Sequence, residues 1–488
     1  MLDLLLFWSI LLFLLANIGV GLLATDKIQE SSVNYLVAGR QLILPLAATT
    51  LMAQSIDANA TLGNTDLTAE FGFWAGASLP LGLALCLLLT GLFFAKPLNS
   101  MKLLTLPDFY RVRYSRTTEL VASVIMVLSF SFLLAGNLVA GGYIFETFLK
   151  TSYVIGVVVI AIIVLLYTIG GGLLAVAYTD IVQVALALLG SLCLIGFVMF
   201  SFGITIPDGM GPAALGQLTD PASGALINWA TLLALGLGDI VAIDFMARVF
   251  AADSPETAQK ACFLGALGTV IIGIPYSLVA LSAPAVLTQL GIEADGPVLF
   301  ALLTSAAPVG ISLTVILGIL AASLSTADGA ILGTASVLAH NVLNVSHREE
   351  NGGGNRLLSA TRTMAVAVTL FGVFFALRVP QTGLLLLLAF DLGFAGLLVP
   401  LVGGLFWPKA TTEGAIACII IGSATRLLLF VMMPTAFGLD NELLYIPNSL
   451  FTPDFDGLPT LLSPLVGCAV FVVVSYLTCD APKQPQRF

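Results

Sequence analysis

Thirteen windows of about 20 residues, each apolar enough to cross a bilayer, follow one another along the chain. Their limits are 2–24, 42–66, 71–96, 117–147, 152–170, 173–203, 225–251, 260–290, 299–343, 357–378, 382–406, 411–434 and 460–478. No soluble core needs so many apolar runs, and with 58% hydrophobic and 9% charged residues the fold class is an all-α polytopic membrane protein. The 299–343 window is too long for one crossing. It predicts an interfacial or re-entrant helix before Pro308, with the span proper starting near Val309. The first window has neither a basic flank nor a small-residue cleavage site, so it reads as a retained helix rather than a leader.

The basic residues test this count. With the N-terminus outside, the inner loops and adjoining helix ends hold Lys27, Arg40, Lys96, Lys102, Arg111, Arg113, Arg116, Arg248, Lys260, Arg348, Arg356, Arg362, Lys409, Lys483 and Arg487. Only Lys150 and Arg378 fall outside, and Arg426 lies within a span. Such asymmetry predicts an N-out, C-in protein of the cell (inner or plasma) membrane. Its surroundings are the lipid bilayer, and no obligatory protein partner is evident.

Several function classes are excluded early. The net charge of −10 comes from scattered carboxylates, and no basic tract suited to nucleic acid exists. Asp208, Asp220, Glu293, Asp295, Asp440, Glu442, Asp454 and Asp456 read as a solvated outer face. Six cysteines sit in or near apolar segments without metal-like spacing, which points to neither disulfides nor zinc. His340 and His347 open a glycine-rich inner loop, 346–356, and read as interfacial residues beside a flexible linker. With only these two histidines, a Ser/His/Asp or metal constellation has no basis.

Function concentrates in LMAQSIDANATLGNTD, residues 51–66. A carboxylate such as Asp57 at membrane depth is a functional hypothesis by default. Gly63 and the clustered polar side chains predict a broken helix, which frees carbonyls for an ion and amides for a solute. Five spans later GLGDIVAID brings a second interruption, loosened by Gly236 and Gly238 around Asp239. Paired interruptions point to an inverted-repeat transporter with halves near 42–203 and 225–406, flanked by a helix at 2–24 and two more over 411–478. A further cluster, AASLSTADGAILGTAS (321–336), sets Ser325 and Thr326 beside Asp328, hard oxygen donors suited to sodium.

Other motifs carry a resemblance. YTIGGGLLAVAYTDIVQ (167–183), NYLVAGR (34–40), STADG (325–329) and MARVF (246–250) occur in order and are similar to signatures of the sodium:solute symporter family. Over about 30–410 the chain resembles that family. GLFFAKP (91–97), VAYTDIVQ (176–183) and the pattern over 325–337 most resemble its high-affinity choline transporters. The resemblance implies the five-plus-five inverted-repeat fold of the bacterial leucine transporter with one extra N-terminal helix. It also implies Na+ as coupling ion, held by the carbonyls of Ala53, Ile56 and Ala322 and the hydroxyls of Ser325 and Thr326. A second cation or proton site would comprise Asp180, Ser325 and Asp328.

The aromatic cage that choline transporters use corresponds here to Ser55, Leu83, Phe132 and Ala242, of which only Phe132 is aromatic. Ser55, Asp57, Asn59 and Asn137, with Phe132, Asp239 and Ala242, form the expected solute pocket. The expected function is sodium-coupled import of a small polar organic solute, not an enzymatic reaction. The alternative is a choline or other organic-cation symporter. Two rivals fit less well. GLGD (236–239) matches the GxGD element of intramembrane aspartyl proteases, but Thr179 separates Tyr178 from Asp180, so the partner Tyr-Asp motif is missing. A membrane sensor would call for a signalling domain after Cys479.

Overall fold

A computed structural model describes residues 2–25, 27, 28, 31–292, 296–345, 356–441 and 444–479. Most of the 346–356 loop with His347 and Arg348, the acidic residues Glu293, Asp295 and Glu442, and Lys483 and Arg487 lie outside the described residues.

The chain opens with α1 (Leu2–Thr25), a short α2 (Ser32–Val37) and α3 (Leu44–Ser55). At Ile56 and Asp57 the backbone leaves the helix, resumes in one π-helical turn at Asn59–Gly63, and continues as α4 (Asn64–Phe71). Next come α5 (Phe73–Leu89), α6 (Ala95–Ser100), α7 (Pro107–Arg113), α8 (Arg116–Leu149), α9 (Tyr153–Ser201) and the single turn α10 (Gly216–Thr219). The second interruption separates α11 (Ala225–Gly238) from α12 (Ile243–Ala251) with a bend of 49°. Then follow α13 (Pro255–Gln289), α14 (Val298–Ser305), α15 (Val309–Val337) and α16 (Arg356–Arg378). A separate short helix, α14, precedes Pro308, and the long helix starts at Val309 as the sequence predicts. A bent pair, α17 (Thr382–Gly396) and α18 (Leu398–Phe406), and then α19 (Thr412–Met432), a two-residue hairpin and α20 (Leu458–Thr478) complete the chain. Several helices start on a hydroxyl cap, with Ser115, Ser152, Ser254 and Thr411 each accepting from the amide three residues on.

Among the described residues nine helices are long and apolar enough to cross a membrane, and the two bent pairs raise that to eleven. The broken α3–α4 adds one crossing. The other is hidden in α9, whose 49 residues would be ~74 Å long if straight, against ~30 Å of hydrocarbon. Gly172, at φ 51° and ψ −148°, turns the chain back. Tyr167 on the first arm bonds to Asp328, while Asp180 on the second arm and Asp328 share Arg248. Counted in this way, each of the thirteen predicted windows has a helix, a broken helix or one arm of α9 among the described residues.

Within the bundle α15 packs on α9 and α8, α3 packs on α13 and α9, and α5 lies between α11 and α13. At one end of the bundle basic side chains cap free carbonyls. Arg40 donates to Lys102 O at 2.6 Å and Arg113 to Gly404 O at 2.8 Å. At the same end Asp108 of α7 accepts from Asn341 at 2.9 Å and pairs with His340 at 3.0 Å, and Asn341 also donates to the buried Glu119 at 2.8 Å. His340, read from sequence as merely interfacial, therefore belongs to a polar network that ties the end of α15 to α7 and α8.

Candidate functional site

The break at Ile56 and Asp57 faces α15. The Ser325 hydroxyl lies 3.1 Å from Ala53 O and 2.9 Å from Ala322 O, and the Thr326 hydroxyl lies 3.3 Å from Ala322 O. Four of the five predicted sodium ligands thus converge in the groove between α3 and α15. Ile56 is the residue at which α3 ends, its amide donating to Ala53 O at 3.3 Å. Four oxygens, two from carbonyls and two from hydroxyls, make a neutral donor set of the kind hard monovalent cations accept. Gln54 clamps the same groove, donating to Thr326 O at 3.4 Å. A side chain at Gly329 would put a Cβ 2.4 Å from Gln54 Oε1, so the glycine permits this close approach.

One turn further along α15 lies an ionic network. Arg248 of α12 is fully buried, with Nη2 3.8 Å from Asp180 Oδ2 and 3.9 Å from Asp328 Oδ1. Its Nε donates to the Thr50 hydroxyl at 3.0 Å, Thr50 in turn donates to Asp180, and Tyr167 donates to Asp328 at 2.7 Å. Of the predicted second-site residues, Asp180 and Asp328 do meet, but around a guanidinium, while Ser325 turns to the two carbonyls. In the sequence Arg248 passes for a residue at a helix end near water. The signal that pointed to its burial was the pair of intramembrane aspartates, which needed a buried cation. Beside Arg248 and Asp244 a narrow cavity follows α15 past Gly333 and Ser336 to Leu36 and Leu106.

The polar stretch itself is largely occupied in holding the break. Ser55 bonds to Thr269 of α13 and donates to Met52 O at 2.9 Å. Asp57 accepts from Ala60 N at 2.8 Å, a cap on the segment after the break. Asn64 joins Gly273 O at 2.9 Å and the Ser277 hydroxyl at 2.7 Å, and Asp66 caps α14 through Val298 N at 3.1 Å. Asn137 of α8 donates to Leu133 O at 3.0 Å and accepts from Ala58 N at 3.5 Å, fixing the far side of the break. The side chain of Asn59 lies outside the described residues.

A second, small cavity lies between α8, the α11–α12 bend and α17. Asp239 and Ala242 line it, joined by Met126, Ser129, Phe130 and Phe390. Phe132 does not, since its ring packs edge-on against Phe375 with centroids 5.1 Å apart. At 100° per residue, a side chain two positions after Phe130 leaves the opposite side of α8.

Comparison with known proteins agrees with this architecture. A family model described as "Sodium:solute symporter family" matches residues 35–422. The high-affinity choline transporter 1 of Torpedo marmorata is 29% identical over 446 residues, covering 86% of this chain and 75% of that one. The sodium/glucose cotransporter of Vibrio parahaemolyticus is 26% identical over 477 residues, 89% of this chain and 86% of that one. Among solved structures, a Na+-coupled sialic acid symporter in a substrate-bound outward-open state superposes with a TM-score of 0.79 at 16% identity, covering 99% of both chains.

Proposed function

The chain belongs to the sodium:solute symporter family, and from that premise we propose that it imports a small organic solute by coupling it to sodium through alternating access. The observation that carries this reading is the Ser325 hydroxyl set between Ala53 O and Ala322 O, where the broken helix meets α15. Sodium seated there, with Thr326 as a further ligand, holds α3 against α15. The ion then favours the conformation in which the neighbouring break is ordered for solute. Its gradient drives uptake because each ligand stabilises the state the other needs.

The halves 42–203 and 225–406 act as the two inverted repeats, with Asp57 and Asp239 at corresponding interruptions. Asp57, Asn59 and Asn137 shape the solute side of the first break. Asp239 and Ala242 do so at the second, while Ser55 holds the end of α3 against Thr269 of α13 and Phe132 packs against Phe375 of α16. The GLGD element forms the bend itself, a place suited to transport rather than to peptide cleavage. Ions and solute leave along α15 through the cavity beside Arg248, toward the end that holds Arg40 and Arg113. That end is cytoplasmic in an N-out, C-in protein of the cell membrane.

The test is binding and uptake with purified protein in detergent and in proteoliposomes, using choline, proline and glucose as probes. Sodium should tighten the binding of one probe, and that probe should tighten sodium by the same factor. Solute affinities that ignore sodium throughout would overturn the symporter reading.

A further inference from the structure

The helix α15 ends in one π-helical turn, Leu338–Val342, and two successive side chains in it reach a single carboxylate. Asn341 donates to Asp108 Oδ1 of α7 at 2.9 Å, and His340 Nε2 lies 3.0 Å from the same oxygen. The other ring nitrogen, Nδ1, lies 3.3 Å from Val345 O. A carboxylate and a carbonyl only accept hydrogen bonds, whereas a neutral imidazole carries a single N–H. Either neutral tautomer therefore sets one lone pair against an acceptor. Only the imidazolium donates to both. The ring is 12% exposed, which leaves water little room to stand in for either partner.

The surrounding charges leave this carboxylate to His340. On α8, Glu119 is taken by Arg116 at 2.7 Å and by Arg111 of α7 at 3.8 Å. Arg113 of α7 turns to Gly404 O, and on α16, which also packs on this turn, Arg362 turns to Ile169 O and Arg356 is exposed. Among the described residues His340 is thus the one basic group paired with Asp108. The same network ties together two walls of the narrow cavity along α15. Leu104 and Thr105 form one wall, and Gly333, Ser336 and Val337 the other. Asp108 Oδ2 accepts from the amides of Leu104 and Thr105 at 3.1 Å each, and the Thr105 hydroxyl donates to Asn341 Oδ1 at 2.7 Å.

We propose that His340 is a proton-operated latch on this passage, ~21 Å along α15 from Thr326. The charged ring holds the segment at Leu104 and Thr105 against the end of α15. Loss of its proton turns one of the two contacts repulsive and frees the walls to part. An imidazole makes that change near neutral pH, where no carboxylate, lysine or arginine of ordinary pKa does. Protons on that side of the membrane therefore slow the release of ion and solute. The latch rests on the symporter reading and adds to it the control of its exit by pH.

The experiment places a thiol on the cavity wall with Ser336→Cys and follows its reaction with a charged methanethiosulfonate in the whole purified protein. Reaction of the native cysteines, measured without Ser336→Cys, is subtracted. Dividing each rate by that of the His340→Ala form at the same pH cancels the ionisation of the thiol itself. The ratio should be about one third or less near pH 6 and close to one near pH 8, on either side of the ordinary imidazole value. His340→Lys, which stays charged, should keep the ratio low at both. A ratio that ignores pH, or a His340→Lys form that reacts as fast as His340→Ala, overturns the latch. Where His340→Ala does not fold, His340→Lys becomes the reference. The parent should then match it near pH 6 and exceed it about threefold near pH 8, and a constant ratio again overturns the latch. Sodium separates the two readings. Labelling that responds to pH but not to sodium leaves the latch and overturns symport, and the reverse leaves symport and overturns the latch.

Discussion

The guanidinium of Arg248 lies 3.8 Å from the Asp180 carboxylate, deep in the membrane and on a different helix. With Asp328 on the other side, one fixed cation serves two carboxylates, and the three join α9, α12 and α15.

Removing that cation should therefore be costly. Arg248→Met is expected to lower stability by ~3–5 kcal/mol, because two carboxylates lose their partner. Adding Asp328→Asn should restore part of the loss. Lys96→Met breaks an exposed pair with Glu256 and should change stability by less than ~1 kcal/mol. Thermal unfolding of the three variants in one detergent checks the order.

The ion site gives a second expectation. Ser325→Ala and Thr326→Ala should each raise the half-saturating sodium concentration about tenfold, equivalent to ~1.4 kcal/mol. Thr363→Ala, on an exposed face of α16, should leave it unchanged. Sodium-dependent thermal shift reads all three, and equal behaviour of Ser325→Ala and Thr363→Ala would remove the assigned ligand.

The spans and both breaks were legible because each is a local property. Apolar length marks a crossing, and polar residues with glycine inside it mark an interruption, as at Ile56–Asp57 and at Asp239. Ser325 and Thr326 were legible as a hydroxyl pair, and the resemblance supplied Ala53 as their neighbour. Arg248 was not, because a basic residue near a helix end looks alike whether it meets water or two aspartates, and only packing decides. The same holds for Phe130 and Phe132. Both are rings on one helix, and which of them faces α17 depends on helix rotation. Gln54, Thr50 and Tyr167 carried no signal beyond ordinary polarity.

Backbone conformation sets a third expectation. Gly172→Ala forces a side chain into a positive-φ position and 2.4 Å from Tyr35 O, so expression or stability should collapse. At Gly170 the nearest obstacle is the Thr25 hydroxyl at 3.1 Å, and Gly170→Ala should be milder. Size-exclusion profiles of the two variants distinguish them.

The network around α7 predicts a response to acid. Burial pushes the Asp108 carboxyl up, but hydrogen bonds from His340 and from the amides of Thr105 and Leu104 outweigh it and hold it below the usual range. A folded-state value below the unfolded one adds stability above about pH 4, and that stability fades as pH falls through the lower folded value. His340→Ala weakens the hold, so acid destabilisation should begin at a higher pH than in the wild type. Unfolding curves between pH 3 and pH 7 follow the shift.

Topology is the fifth expectation. Tags at residue 1 and after residue 478 should be accessible from opposite sides, with the second one cytoplasmic. Accessibility of both from one side would break the count of thirteen.

The reversal at Gly172 also bears on how the protein is made. Between Tyr153 and Ser201 the only charged residue is Asp180, and no polar loop separates the two arms. The ribosome thus delivers 49 residues with nowhere to pause in water and no lysine or arginine at the turn to retain on one side. The arms must enter the lipid together as a hairpin, and they take their direction from the segments made before and after them. Arg362 donates to Ile169 O at 3.0 Å, so the turn gains this cap only after α16 has been synthesised nearly two hundred residues later.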